Sequence, residues 1–273
     1  MIPGAPGPGT STPRLVPGID ALEPDDGPAF VVVGVFDGLH LGHAYLLGHL
    51  VREAAARRAV PTVVTFDAHP DAILRGHAPP LLLDPAERTE RLGLAGVETI
   101  VVQHFDDALR RTEYDVFVDR IRARVALAGI LMTPDAAFGH ERRGTAEALA
   151  DLGRARGFDV VVVPPFSLDG SSVRSTDVRV AIETGDLARA ARLLGRPYAI
   201  VGRSRPGGEL VVDLPVARPP DGAYPAAIEG RPVILEVTDG RLVIGDGRAA
   251  GEPGRRLRVD LGAPIRPGAD EPG

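Results

Sequence analysis

Cysteine, lysine and asparagine are all missing from this 273-residue chain, so its 31 basic residues are all arginine. Without cysteine there are no disulfides, no thiolate nucleophile and no structural zinc of the cysteine type. Without lysine there is no Walker-A phosphate loop, no Schiff-base catalysis and no pyridoxal-phosphate site. Any phosphate chemistry therefore falls to arginine, histidine and backbone amides, and the planar guanidinium fork suits it because it grips phosphate bidentately. No apolar run reaches the ~18 residues that a membrane span needs. The N-terminus lacks the basic start and apolar core of a secretion signal. A formal net charge of −6 argues against nucleic acid as the main partner. The cytoplasm is the expected location. With 44% hydrophobic and 25% charged residues, the chain can bury one large core and a small appendix.

What is present is most informative at Val31-Val32-Val33-Gly34-Val35-Phe36-Asp37-Gly38-Leu39-His40-Leu41-Gly42-His43. An apolar strand runs into a glycine-rich turn that carries two histidines three residues apart. Residues 44–58 continue as a helix, with Leu46, Leu47, Leu50, Val51 and Ala54 along one face. His40 and His43 thus sit at a strand-to-helix junction, on the first turn and on similar sides. A helix start offers unpaired N–H groups and partial positive charge, which attract anions. Gly34, Gly38 and Gly42 let a phosphate approach the backbone. Two imidazoles there can donate to phosphate oxygens and to charge that develops during transfer. This is chemistry for a nucleoside triphosphate. Metal binding is a weaker reading, because the helix offers only His49 and Glu53 as further ligands. A structural glycine turn with two surface histidines is the other alternative.

Elsewhere the texture reads as tail, α/β domain, small β module and tail. Residues 1–28 are rich in Pro and Gly, without periodicity, and are expected to be disordered. From Phe30, apolar runs alternate with helical stretches, the signature of a parallel α/β sheet. Strands are expected at 30–35, 62–66, 99–103, 129–133 and 159–163. Helices are expected at 85–95, 114–125, 144–156, 177–184 and 186–194. Beyond Arg196-Pro197, short apolar runs separated by Gly and Pro predict a small all-β unit over 199–266, with a tail at 267–273.

Further segments carry chemistry by type. Thr65-Phe66-Asp67-Ala68-His69-Pro70 comes after the second strand, where an open parallel sheet places its ligand crevice. Phe138-Gly139 comes after the fourth. Val173-Arg174-Ser175-Thr176-Asp177-Val178-Arg179 precedes a helix, and Ser175 or Thr176 can cap it. The same hydroxyls, with Arg179, can hold an anion at the helix start.

Taken together, these blocks resemble the bacterial FAD synthetases of the H-x-G-H nucleotidyltransferase superfamily over roughly residues 30–203. The first block is similar to G-x-F-D-G-x-H-x-G-H, the second to T-F-x-x-H-P and the third to I-S-S-T-x-x-R, with Arg174 in place of a serine. Leu193-Leu194-Gly195-Arg196-Pro197-Tyr198 resembles the closing segment. The element G-x-D/N-F-x-F-G survives in part, with Thr133, Ala136 and Ala137 at altered positions. The resemblance implies a Rossmann-like, doubly wound parallel sheet over 29–198. It implies His40, His43 and Arg179 as catalytic residues, and Gly34, Phe36, Asp37, Gly38, Gly42, Ser175 and Thr176 at ATP. Phe66, His69, Asp135 and Phe138 would meet the flavin. Mg²⁺ would arrive with ATP, and no protein metal site is expected.

In the family a riboflavin kinase barrel comes next, with a P-T-A-N motif. Here Pro215-Val216-Ala217-Arg218 stands in that place, and no asparagine exists anywhere to replace the missing one. The module therefore reads as a shortened, kinase-dead relic that supports folding or dimerisation. The expected reaction is transfer of AMP from ATP to FMN, giving FAD and pyrophosphate. Two rivals stay open. One is a nucleotidyltransferase for another phosphomonoester; the other is a non-catalytic flavin- or nucleotide-binding relative.

Overall fold

A computed structural model of the chain describes residues 12–245 and 250–262. The chain divides into two compact units, Met1–Pro79 with Ala86–Ser172, and Pro80–Pro85 with Val173–Gly273. The first eleven residues of the expected tail at 1–28, residues 246–249 and 263–266 of the expected β module and the expected tail at 267–273 lie outside the described residues.

The strands of the first unit are β1 (Arg14–Val16), β2 (Ala29–Val33), β3 (Val60–Phe66), β4 (Thr99–Gln103), β5 (Leu127–Met132), β6 (Ala137–Phe138), β7 (Gly144–Thr145), β8 (Asp159–Val162), β9 (Ser167–Leu168) and β10 (Ser171–Ser172). Its helices are α1 (Leu41–Ala56), α2 (Asp71–Leu74), α3 (Pro85–Leu94), α4 (Asp107–Arg110), α5 (Tyr114–Arg122) and α6 (Ala146–Arg156). Six strands make one sheet in the order β1-β4-β3-β2-β5-β8, with every pairing parallel. Such a sheet is covered on both faces, so its strands are near-continuous apolar runs rather than alternating ones. Val31, Val32, Val63, Val64, Ile100, Val101, Ile130 and Leu131 are accordingly all buried. Helix α1 packs on β2 and β3 through Leu47, Leu50 and Ala54, which share one helical face. Each fully buried Leu contributes ~1.5–3 kcal/mol.

The chain leaves β2 toward β3 on one side and reaches β5 on the other. That reversal is the topological switch point of a doubly wound sheet, and ligands bind there, beyond the carboxyl ends of the strands. The loops after β2 and β5 carry the H-x-G-H block and Phe138-Gly139.

Two departures from the sequence expectation stand out. Residues 12–28 are not a tail. Arg14, Leu15 and Val16 pair with Thr99, Ile100 and Val101 of β4, and Val16, Ile19 and Leu22 are buried in the core of this unit. Three buried apolar side chains among the prolines and glycines accompany this added edge strand. The division of the chain also falls after Ser172 rather than at 198/199. Helices α7 (Ser175–Glu183) and α8 (Leu187–Leu194) bury Val178, Ala181, Ile182, Leu187, Ala190 and Leu194 in the core of the second unit.

That second unit adds β11 (Tyr198–Ser204), β12 (Leu210–Val211), β13 (Gly222–Ile228), β14 (Arg231–Thr238), β15 (Arg241–Ile244) and β16 (Arg256–Leu261). They form an antiparallel sheet ordered β12-β11-β16-β13-β14-β15. A bridge between Glu209 and Val243 brings its two ends together, so the sheet curls toward a barrel. The small all-β module is therefore present. Among the described residues no helix is long and apolar enough to cross a membrane.

Candidate active site

The site begins where β2 ends. Gly34 still donates to the Val64 carbonyl (3.0 Å), and then the backbone turns sharply. Phe36 (φ 53°), Gly38 (φ 80°) and Leu39 (φ 39°) all have positive φ. Only glycine adopts this region without cost, and for a side chain such as Phe36 or Leu39 it costs ~1–3 kcal/mol. Burial compensates: Phe36, Asp37, Leu39 and His40 are 2%, 4%, 8% and 5% exposed. A Cβ on Gly34 would lie 3.0 Å from the Phe36 ring, so this glycine makes room for the folded-back phenylalanine.

His40 is the N-cap of α1, and its Nδ1 accepts from the His43 amide (3.3 Å). That bond starts the helix at Leu41, three residues earlier than periodicity alone suggests. Because Nδ1 accepts, neutral His40 is assigned its proton on Nε2, where it is a donor. The two imidazoles stack, with centroids 3.8 Å apart and planes 17° apart, and Phe36 tilts against His43 at 5.2 Å. Burial, and then the neighbouring His40, hold the His43 pKa well below its usual 6.5. His43 is neutral at pH 7, and its Nδ1 is buried with no hydrogen-bond partner among the described residues. A desolvated, unpartnered polar atom is costly and points to a ligand. Among the described residues no three His, Cys, Asp or Glu side chains converge.

Beside this loop a cavity of about 770 Å³ opens at the carboxyl ends of β2, β3, β4 and β5. Of the expected residues, Gly34, Phe66, His69 and Phe138 line it. Phe66 meets Phe105 edge-on at 5.2 Å, and Phe138 tilts against Phe117 at 5.3 Å. Aromatic faces and edges of this kind suit a flat ring. Arg110, Thr112, His140 and Arg142 add polar groups to the wall. His69 also has a local role, since its Nδ1 accepts from the Asp71 amide (3.2 Å). Phe36, Asp37, Gly38, Gly42, His40, His43 and Asp135 are not part of the wall. Asp135 is exposed, and its carboxylate accepts from the Thr133 hydroxyl (2.8 Å).

The hairpin of β6 and β7 is pinned by glycine contacts. A Cβ on Gly139 or Gly144 would fall 2.6 Å or 2.5 Å from Tyr114. Gly139, Glu141 and Arg142 all have positive φ, so this part of the wall is held in an uncommon backbone shape.

In the second unit, Arg174 rather than Ser175 or Thr176 is the N-cap of α7. Asp177, three residues on, accepts from the Arg174 amide (3.2 Å) and takes over the capping role. Thr176 is exposed at the helix start. Arg179 Nε donates to the Pro80 carbonyl (2.8 Å), which ties α7 to the segment before α3.

Sequence reasoning passed over Arg88, Phe105, Arg110 and Arg142. Phe105 lies two residues beyond β4, so applying the crevice rule to every strand end would have found it. Arg88 gives no signal, because it lies in a helix of mixed charge.

The model of the FAD synthetase family matches residues 22–177. The chain belongs to the FAD synthetase family. It is 33% identical over 252 residues to the bifunctional riboflavin kinase/FMN adenylyltransferase of Pseudomonas fluorescens, covering 86% of this chain and 81% of that one. The protein of the same name from Haemophilus influenzae is 31% identical over 182 residues, covering 66% of this chain and 59% of the relative. The fold also matches a crystal structure described as a macrolide-efflux protein from Streptococcus pneumoniae. That likeness has a TM-score of 0.78 at 24% identity and covers 96% and 93% of the two chains. The chain is thus an enzyme of the nucleotidyltransferase class, with an FAD synthetase domain.

Proposed function

We propose that this FAD synthetase is an FMN adenylyltransferase that works without riboflavin kinase activity. An oxygen of the FMN phosphate attacks the α-phosphorus of ATP. The bond from the α-phosphorus to the α,β-bridging oxygen breaks, and pyrophosphate leaves. The nucleophile is already an anion at neutral pH, so no covalent intermediate or general base is required. Catalysis consists of holding the two phosphates in line and meeting the charge that develops.

The observation that carries this reading is the stacked pair His40 and His43 at the start of α1, beside an aromatic-walled cavity. His40 and His43 donate to the α- and β-phosphates in this reading. Gly34, Gly38 and Gly42 let the phosphates approach the backbone. The side chains of Phe36 and Asp37 are buried, so any ATP contact at those positions comes from the main chain. Ser175, Thr176 and Arg179 act as further ATP ligands, on the strength of the S-T-x-x-R motif. Phe66, His69, Phe138 and, at the rim, Asp135 serve the flavin. Mg²⁺ enters as the MgATP complex, bound mainly by phosphate oxygens. The cytoplasm is the proposed location.

Residues 29–198 are proposed to carry the adenylyltransferase. Residues 199–266 are proposed to be a kinase module that has lost its chemistry. Support comes from Pro215-Val216-Ala217-Arg218, where Arg218 donates to the Gly240 carbonyl in place of an asparagine. One assay tests both claims: purified chain with MgATP and either FMN or riboflavin, with the flavins then separated by chromatography. FAD from FMN, with no FMN from riboflavin, is the expected outcome. Phosphorylated riboflavin refutes the view of the second module. The altered 133–138 element favours testing other phosphomonoesters in parallel, and a faster acceptor than FMN would replace it.

A further inference from the structure

We infer that Arg88 is a positioning residue that sets the histidine loop against the Phe66–Pro70 loop; the catalytic part of this inference rests on the adenylyltransferase reading. Arg88 lies on α3. Its Nη1 donates to the Val35 carbonyl (3.2 Å) and its Nη2 to the Phe66 carbonyl (3.0 Å). One planar fork thus joins the chain just beyond β2 to the last residue of β3. Both carbonyls stand at the root of a functional loop. Val35 precedes Phe36, the first of the positive-φ residues that lead to His40. Phe66 starts the segment that leads to His69 on the cavity wall.

Other contacts converge on the same point. The Thr65 hydroxyl also donates to the Val35 carbonyl (3.2 Å), so that oxygen is held from two sides. Asp37, buried on the same loop, and Asp67 supply negative charge toward Arg88, while burial of the guanidinium lowers its pKa. A guanidinium placed here is therefore occupied with two backbone oxygens rather than presented as a phosphate ligand. Lysine cannot replace it, since an ammonium lacks the rigid fork that spans two carbonyls in one plane. The strained turn needs outside support to persist, and Arg88 provides it from a third element.

The test uses full-length Arg88→Lys and Arg88→Met with three readouts: steady-state FAD formation, thermal unfolding, and amide hydrogen exchange. Loss of the tether misplaces the reacting phosphates, and small misplacements cost on the order of 10²-fold in rate. Arg88→Met should lower kcat by about that factor with KM for FMN changed little. Arg88→Lys should fall between it and wild type, and added guanidinium should restore part of the Arg88→Met rate. Exchange should quicken in residues 34–43 and 66–70 and stay slow in the rest of the sheet. Unchanged exchange in both loops overturns the proposal whatever the activity. A lowered melting temperature with unchanged kcat overturns the positioning role. Should wild type make no FAD while the loops loosen as expected, the adenylyltransferase reading falls and the tether stands. Arg88→Lys keeps the test alive if Arg88→Met does not fold.

Discussion

Replacing His43 by alanine separates chemistry from folding at one position. In the proposed mechanism its neutral imidazole is one preorganised donor to transition-state charge. Removing such a donor typically costs ~2.7–4 kcal/mol. At ~1.36 kcal/mol per decade, kcat should fall by ~10²–10³-fold. Stability should move far less, because two effects oppose each other. The ring contacts with His40 and Phe36 are lost, at ~0.5–1.5 kcal/mol each. Against this, a buried and unpartnered Nδ1 disappears, which relieves a desolvation cost of ~1–3 kcal/mol. The titration of His43 supplies a second signature. Its folded pKa is held below the usual 6.5, so the unfolded chain takes up the proton first as pH falls. Its contribution to stability is therefore intact above pH 6.5 and declines as pH drops from there toward the folded pKa. His43→Ala should lose that part of the acid slope. MgATP placed beside the ring should raise its pKa, so that binding takes up protons at acidic pH. Calorimetry in buffers of different ionisation enthalpy reads this directly. Rate loss no larger than the stability loss predicts, together with the same proton uptake in His43→Ala, would refute the assignment.

Two further outcomes are expected. Arg179→Lys loses the Nε bond to the Pro80 carbonyl, so its unliganded midpoint should drop by the equivalent of ~1.5 kcal/mol. It should also lose most of the MgATP-induced upward shift that wild type shows; a full shift would make Arg179 a structural link alone. Gly144→Ala would place a Cβ 2.5 Å from Tyr114 and 2.7 Å from the Phe138 carbonyl, destabilising by ~1–3 kcal/mol and weakening FMN binding by displacing Phe138. Gly157→Ala, in open space at a helix end with φ +76°, is the control. It should lower the melting temperature and leave flavin affinity unchanged.

The parallel sheet was legible because strands covered on both faces have no choice but to be apolar. Val31, Val32, Val63, Val64, Ile130 and Leu131 announce themselves without any periodicity. The place of the histidine pair was legible for a different reason: an apolar strand, a glycine-rich turn and a helical face follow one another, which puts His40 and His43 at the start of α1. Strand β1 was not legible, since three residues amid Pro and Gly carry no pattern and are specified only by β4 beside them. The cap of α7 was misplaced because Ser175 and Thr176 are the better capping types. The deciding residue is Asp177, whose carboxylate reaches back to the Arg174 amide and leaves Ser175 and Thr176 inside the first turn. Arg88 was beyond reach in principle. Its two acceptors are main-chain carbonyls 53 and 22 residues away, and carbonyls are the same at every position.

The absence of lysine has a consequence for how charge is handled. In the described first unit, the guanidinium of Arg88 is spent on backbone oxygens. His43 is kept neutral by burial. In the proposed mechanism the histidine loop therefore meets phosphate with fixed dipoles: imidazole N–H groups and the first-turn amides of a helix. Dipoles of this kind cost little reorganisation when charge develops, provided the backbone that aims them is rigid. Rigidity is what the strained turn requires in any case. Phe36 and Leu39 hold positive φ only while their side chains stay buried and the Val35 carbonyl stays held. The same packing that compensates the strain aims the donors. A substitution that relaxes the turn is therefore expected to reduce kcat even where it raises stability.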